Sequence, residues 1–174
     1  IRAMDSRAEL DLEPHFLKEL GYSCLINGYN REAERYFNRL RQSQINVDET
    51  SYYLGLVAYE LRKFNNAVQH FRTVLSHHPD HTDIIAKMAR AWYNLGEYKK
   101  AKVTAQKCLR YEPFHAEARL VLGQALIEMG DTQDAIRVFI DTLSERPDHI
   151  ESFREVVGLR LQVGDYAWLE KSLL

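Results

Sequence analysis

TDIIAKMARAWYNLGEYKKAKVTAQKCLRYEPFH, residues 82–115, carries two apolar stripes separated by one break. Ile85, Met88, Ala89, Trp92 and Tyr93 recur at steps of three and four, the spacing that places side chains on one face of a helix. Leu95-Gly96-Glu97 interrupts the pattern. Glycine enters the left-handed backbone region without a Cβ penalty, so Gly96 is a natural stop. Ala101, Ala105, Cys108 and Leu109 then form a second stripe. Pro113 closes it, because proline lacks the N–H that would continue the ladder. The stretch predicts a hairpin of two short helices. One hairpin cannot bury its own stripes, so neighbours must stack on it.

The neighbours are legible at a fixed period. Pro79, Pro113 and Pro147 stand 34 residues apart, and His81, His115 and His149 follow two positions later. Ala33, Ala67, Ala101 and Ala135 keep the same spacing, as do Phe37, Phe71, Ala105 and Phe139. Gly21, Gly55, Ala89 and Gly123 make another column, and Gly28, Gly96, Gly130 and Gly164 a further one, with Arg62 as its exception. Self-similarity at such a period marks a repeat architecture. Small residues belong where helices come close: Gly55, Ala89 and Gly123 are expected opposite Ala67, Ala101 and Ala135. The bulky Phe37, Phe71, Phe139 and Trp92 are expected to fill the gaps between units.

The same period settles the histidine-rich string HHPDH, residues 77–81. It is a repeat boundary. Pro79 ends one helix, and Asp80 or Thr82 is expected to cap the next by accepting an orphan amide hydrogen bond. His81, His115 and His149 would form a ladder with one rung per repeat. Neighbouring helices lie about 8–10 Å apart, whereas zinc–nitrogen bonds are about 2.0–2.1 Å, so three rungs cannot share an ion. The spacing lacks a zinc-site pattern, and the reading is a solvated loop with no metal.

Composition narrows the function classes. The chain has 174 residues, enough for a sizeable core, with 23 basic and 25 acidic residues and a formal net charge of -2. No basic excess points to a nucleic-acid partner. No run approaches the roughly 18 apolar residues of a membrane span. The first residues, IRAMDSRAELDLEP, contain no apolar signal core, and residues 1–3 are set apart as an expected vector remnant. Cys24 and Cys108 are too few for a disulfide scaffold and read as reduced, buried thiols. The glycines are isolated, so no phosphate-binding loop is present, and neither cysteine lies in a nucleophile motif. The sequence gives no catalytic set and no cofactor site.

The 34-residue period, the small/large alternation, the alanine and phenylalanine columns and the terminal proline together resemble the tetratricopeptide repeat. The resemblance covers nearly the whole chain after an N-terminal extension, residues 1–13. Its units are 14–47, 48–81, 82–115, 116–149 and 150–174, the last cut short at LEKSLL, which reads as a piece of a longer protein. It implies an all-α fold, a right-handed superhelical solenoid of antiparallel helix hairpins whose first helices line a concave groove. Members of the family bind another protein there, as a peptide or a helix segment. By that resemblance the groove residues here are Lys18, Tyr22 and Leu25, then Tyr52, Leu56 and Tyr59, then Ala86, Arg90, Tyr93 and Asn94, then Leu120, Gln124 and Ile127, and finally Arg154 and Leu161. Tyrosine suits such a surface, since it offers large area, little rotamer entropy to lose and a hydroxyl. The clamp that holds acidic chaperone tails in some family members does not match: Tyr22 and Tyr53 stand where asparagines are needed, and Asp83 where a lysine is.

The implied function is a non-enzymatic, cytoplasmic scaffold that holds a partner segment during complex assembly. Two alternatives stand beside it. The array could recruit substrates for a larger enzyme or a secretion machine. It could also self-associate into a homo-oligomer through an exposed C-terminal end comprising Val163, Tyr166, Trp168, Leu169 and Leu173.

Overall fold

The computed structural model describes residues 13–165 and residue 167. Of the expected self-association end, Tyr166, Trp168, Leu169 and Leu173 lie outside the described residues, while Val163 is half exposed. Among the described residues the elements are nine α-helices and no strand: α1 (Pro14–Ile26), α2 (Asn30–Gln42), α3 (Val47–Glu60), α4 (Phe64–His77), α5 (Thr82–Asn94), α6 (Tyr98–Tyr111), α7 (Ala116–Glu128), α8 (Thr132–Glu145) and α9 (Ile150–Gln162). The chain divides between Pro79 and Asp80 into two compact units. In the first, α1 pairs with α2 and α3 with α4, and α2 packs on α3. In the second, α5 pairs with α6 and α7 with α8, while α6 packs on α7 and α8 on α9.

The core of each unit follows the sequence columns. Leu17, Ala33, Phe37, Leu40, Leu54 and Val57 form one cluster in the first unit. Ala101, Ala105, Val121, Ala125, Ala135, Phe139 and Val156 belong to the main cluster of the second. The nearest neighbour of each column glycine is the phenylalanine ring of the second helix in the same hairpin. A Cβ built on Gly21 would lie 2.8 Å from the Phe37 ring, one on Gly55 2.5 Å from Phe71, and one on Gly123 closer still to Phe139. The rings are fully buried, so they plug their own hairpins as well as reaching onward: Phe37 also stacks on Tyr53 of the next hairpin at 4.9 Å. In the third hairpin both partners change together. Ala89 replaces the glycine and Ala105 the phenylalanine, both fully buried, and Trp92 packs against the cluster that contains them.

The turns obey the second glycine column. Gly28, Gly96, Gly130 and Gly164 all have φ between 73° and 84°, the left-handed stop expected of Gly96. Arg62 adopts the same conformation at φ 59° with a Cβ to accommodate. The α2–α3 connection, where Ile45 stands in place of proline, also turns through left-handed residues, Gln44 and Asn46.

The helix caps differ from expectation. Thr82 is already inside α5 and its N-cap is His81, so neither Asp80 nor Thr82 has the capping role. At His115 and His149, though not at His81, the histidine column supplies a side-chain cap. His115 Nδ1 accepts from the Ala118 amide at 3.4 Å, and His149 Nδ1 accepts from the Ser152 amide at 3.2 Å. The extended backbone of the HPDH-type loop puts the histidine itself at the cap position.

Two stability outcomes follow, both measured by urea unfolding. Gly55→Ala in the native background is expected to destabilise by about 1–2 kcal/mol, because the new methyl meets a buried ring that has nowhere to move. In a Phe71→Ala background, itself about 3–5 kcal/mol weaker, the same substitution is expected to stabilise by up to about 1 kcal/mol through helix propensity. An unchanged sign between the two backgrounds would contradict the pairing. Arg62→Gly is expected to raise stability by about 0.5–1 kcal/mol by relieving the left-handed strain, net of glycine's backbone entropy.

Candidate functional site

The first helices of the hairpins carry the expected groove residues, and each unit builds its own face from them. In the first unit, α1 and α3 are joined by an ion pair between Lys18 Nζ and Glu49 Oε1 at 2.6 Å. That hydrogen bond holds the Lys18 ammonium above its usual range. Beside it, Tyr22 is 44% exposed and meets Tyr53 edge-on at 5.9 Å. Tyr53 in turn lies flat on Phe37 and tilted against Tyr52, at 5.4 Å. Burial, reinforced by the Glu49 charge, pushes the Tyr53 hydroxyl up. The face therefore has a stacked aromatic floor anchored in the core, with Tyr22, Tyr52 and Leu56 at its surface.

Four expected residues are less available than the sequence implied. Leu25 packs against the first core cluster. Tyr59 meets Phe64, the first residue of α4, in an edge contact at 5.4 Å, so it leans on its own hairpin partner. Tyr93 repeats this arrangement one repeat later, tilted against Tyr98 at the start of α6 at 5.5 Å. Ala86 is fully buried and offers nothing to a partner.

In the second unit the face is tied by a polar chain across three first helices. Arg90 of α5 donates to Gln124 Oε1 of α7 at 2.5 Å, and the Gln124 amide donates to Glu155 of α9 at 2.9 Å. Arg90 also lies 3.6 Å from Glu117 and 5.8 Å above the Tyr93 ring. The Tyr93 hydroxyl donates to Glu128 at 3.4 Å. Burial first, and the Glu128 charge second, push that hydroxyl up. Leu120 and Ile127 are half-buried against the core, Asn94 and Arg154 are exposed, and Leu161 is 47% exposed.

Tyr53, Glu117, Glu128 and Glu155 were not among the expected site residues. A signal for Glu155 was present. Gly158 holds the Gln124 column in α9 and has no side chain, so the contact falls to the residue one turn earlier. The carboxylates of the first turns, Glu49, Asp83, Glu117 and Glu151, suit the positive end of each helix.

His77 and His78 lie 2.9 Å and 3.5 Å from the Asp48 carboxylate, yet no group of three or more His, Cys, Asp or Glu among the described residues is placed to hold a metal ion. Cys108 is buried, its Sγ donates to the Thr82 carbonyl, and burial with nearby Glu112 pushes the thiol up to about 12. At neutral pH it is not a thiolate nucleophile. No described helix is long and apolar enough to cross a membrane.

Comparison with known proteins agrees with this architecture. The tetratricopeptide repeat profile matches residues 58–107 and 97–157. The Protein CTR9 homolog of Arabidopsis thaliana is 27% identical over 144 residues, a match that covers 81% of this chain and 13% of that protein. The chain thus spans a small fraction of that relative's length. The solved structure of MamA, residue 41 to the end, from Desulfovibrio magneticus RS-1, has a TM-score of 0.82 at 20% identity, covering 91% of this chain and 89% of the other. YrrB, described as a TPR protein with an unusual peptide-binding site, has a TM-score of 0.74 at 17% identity, covering 79% and 71%. At these identities the two structures speak to the fold alone. The repeat profile matches more than half of the residues, and this chain belongs to the tetratricopeptide repeat family.

Proposed function

We propose that this chain is a protein-interaction scaffold that binds a segment of another protein on the faces of its first helices and contributes no bond-making chemistry. The observation that carries the reading is the aromatic floor of the first unit. Tyr22 and Tyr52 present polar-tipped rings at the surface, and Tyr53 below them is stacked on a fully buried phenylalanine. Such a floor loses little entropy on binding, because its rotamers are already fixed by packing. The peptide-binding site named for YrrB lends the same direction to the reading. Lys18, Leu56, Arg90, Gln124 and Ile127 complete the proposed contact set, with Tyr59, Tyr93 and Leu25 supporting it from beneath.

The test is affinity capture from native lysate with Tyr22→Ala/Tyr52→Ala. Both side chains reach the surface, so helicity by circular dichroism is expected to hold and Tm to fall only a few degrees. Capture of the partner is expected to fall at least tenfold, the scale of losing aromatic anchors at an interface. Undiminished capture by the folded variant would place the binding surface elsewhere.

A further inference from the structure

Helix α6 carries charge of one sign. It holds Lys99, Lys100, Lys102, Lys107 and Arg110 and no carboxylate, in a chain whose formal net charge is -2. The other second helix of this unit, α8, sets Arg137 against Asp134, Asp141 and Glu145. Two of the α6 cations are answered: Lys100 lies 3.1 Å from Glu97 and Lys102 3.4 Å from Asp131. Asp134 is taken by Arg137, Asp141 shares a separate hollow with Lys102 and Gln106, and Glu112 stands beyond the last turn. Lys99, Lys107 and Arg110 have no carboxylate within ion-pair distance among the described residues. Lys99, Val103, Gln106 and Arg110 follow one another at steps of four, three and four along one exposed line, with Lys107 beside it. Two features break the pattern of the other repeats. Val103 is 62% exposed where its column elsewhere holds Arg35, Gln69 and Arg137. Lys99 and Lys100 oppose the positive end of α6, where α2, α5, α7, α8 and α9 place an acid. Neither feature serves packing, and such local conflicts collect at functional surfaces. Val103, Gln106, Leu109 and Arg110 line an open hollow of about 440 Å³.

We propose that the outer face of α6 docks an acidic segment of a second protein, with carboxylates set against Lys99, Lys107 and Arg110 and an apolar side chain in the hollow beside Val103. This goes beyond the scaffold reading, because the surface lies on a second helix and is independent of the first-helix faces. Three cations without partners gain charge-assisted hydrogen bonds from incoming carboxylates, and no pair within the chain has to break first. Each exposed pair stabilises little alone, so the cluster and the apolar anchor act together. A basic segment meets like charge along the whole line. The apolar hollow favours a protein segment over nucleic acid, whose phosphates make no use of it.

A random dodecamer library displayed on phage, selected against the intact chain, provides the test. One enriched class is expected to combine aspartate or glutamate with an apolar residue. Its affinity is expected to fall about tenfold in Lys99→Gln/Lys107→Gln/Arg110→Gln and several-fold in Val103→Ser. It is expected to stay within about twofold in Arg31→Gln/Arg41→Gln/Arg146→Gln, which removes the same charge elsewhere. Binding is also expected to weaken as salt rises, because exposed charges are screened. Circular dichroism checks the fold of each variant. Equal losses in the two triple variants would reduce the effect to net charge and overturn the inference. A random DNA duplex bound as tightly as the peptides, and lost in the same α6 variant, would make the face a general polyanion site and overturn it too. So would a library with no acidic peptide that depends on α6. Peptides lost only in Tyr22→Ala/Tyr52→Ala would contradict this surface while leaving the scaffold reading standing.

Discussion

A phenyl ring lying over a glycine is the contact on which the hairpins depend. Gly21, Gly55 and Gly123 let Phe37, Phe71 and Phe139 reach the backbone of the facing helix, closer than any Cβ would allow. The ring is then fully buried and plugs the hairpin. Phe37 shows the second consequence, since its outer face supports Tyr53 of the following hairpin. A single close contact thus fixes the spacing inside one hairpin and provides a platform for the next. The third hairpin departs from this arrangement, with two buried alanines in place of the glycine and the ring and Trp92 against the same cluster.

The rigidity of the packed layer is passed to the faces above it. Tyr53 sits on Phe37, Tyr59 on Phe64 and Tyr93 on Tyr98, so the aromatic surface is supported by second-helix residues and does not collapse into solvent-exposed rotamers. Polar contacts add lateral ties. Lys18 and Glu49 link α1 to α3, and Arg90, Gln124 and Glu155 link α5, α7 and α9. Individual surface ion pairs stabilise little, but a chain of charge-assisted bonds among half-buried groups holds side chains in set orientations. A face held in this way is prepared for a partner before the partner arrives.

The sequence made the helices and their stacking legible because the 34-residue period repeats each packing requirement several times. Gly96 as a stop and the buried alanine column needed no more than that. Pairing between columns was harder to read. Gly55 and Phe71 lie sixteen positions apart on antiparallel helices, and the period alone does not say how closely the ring approaches the glycine. The joint change to Ala89 and Ala105 was the available clue. Histidine caps were obscured by propensity, which favours Asp80 and Thr82, while the loop geometry put His81 at the cap. The residues proposed for the groove lie on the first helices, where Ala86 is fully buried and Leu25 packs against the core. Tyr59 and Tyr93 turned towards their own hairpins because an aromatic residue opens each following helix, a tertiary contact that spacing does not encode.

The account stands on binding through the first helices, and photo-crosslinking tests this most directly. A benzophenone amino acid placed singly at Leu56, Leu120 or Ile127, and at Gln69, Val103 or Arg137 on the second helices, would be irradiated with native extract. Crosslinks to one partner band from the first-helix positions, absent from the second-helix positions, are the predicted result. The same band appearing from Gln69, Val103 or Arg137 while Leu56, Leu120 and Ile127 stay silent would contradict it.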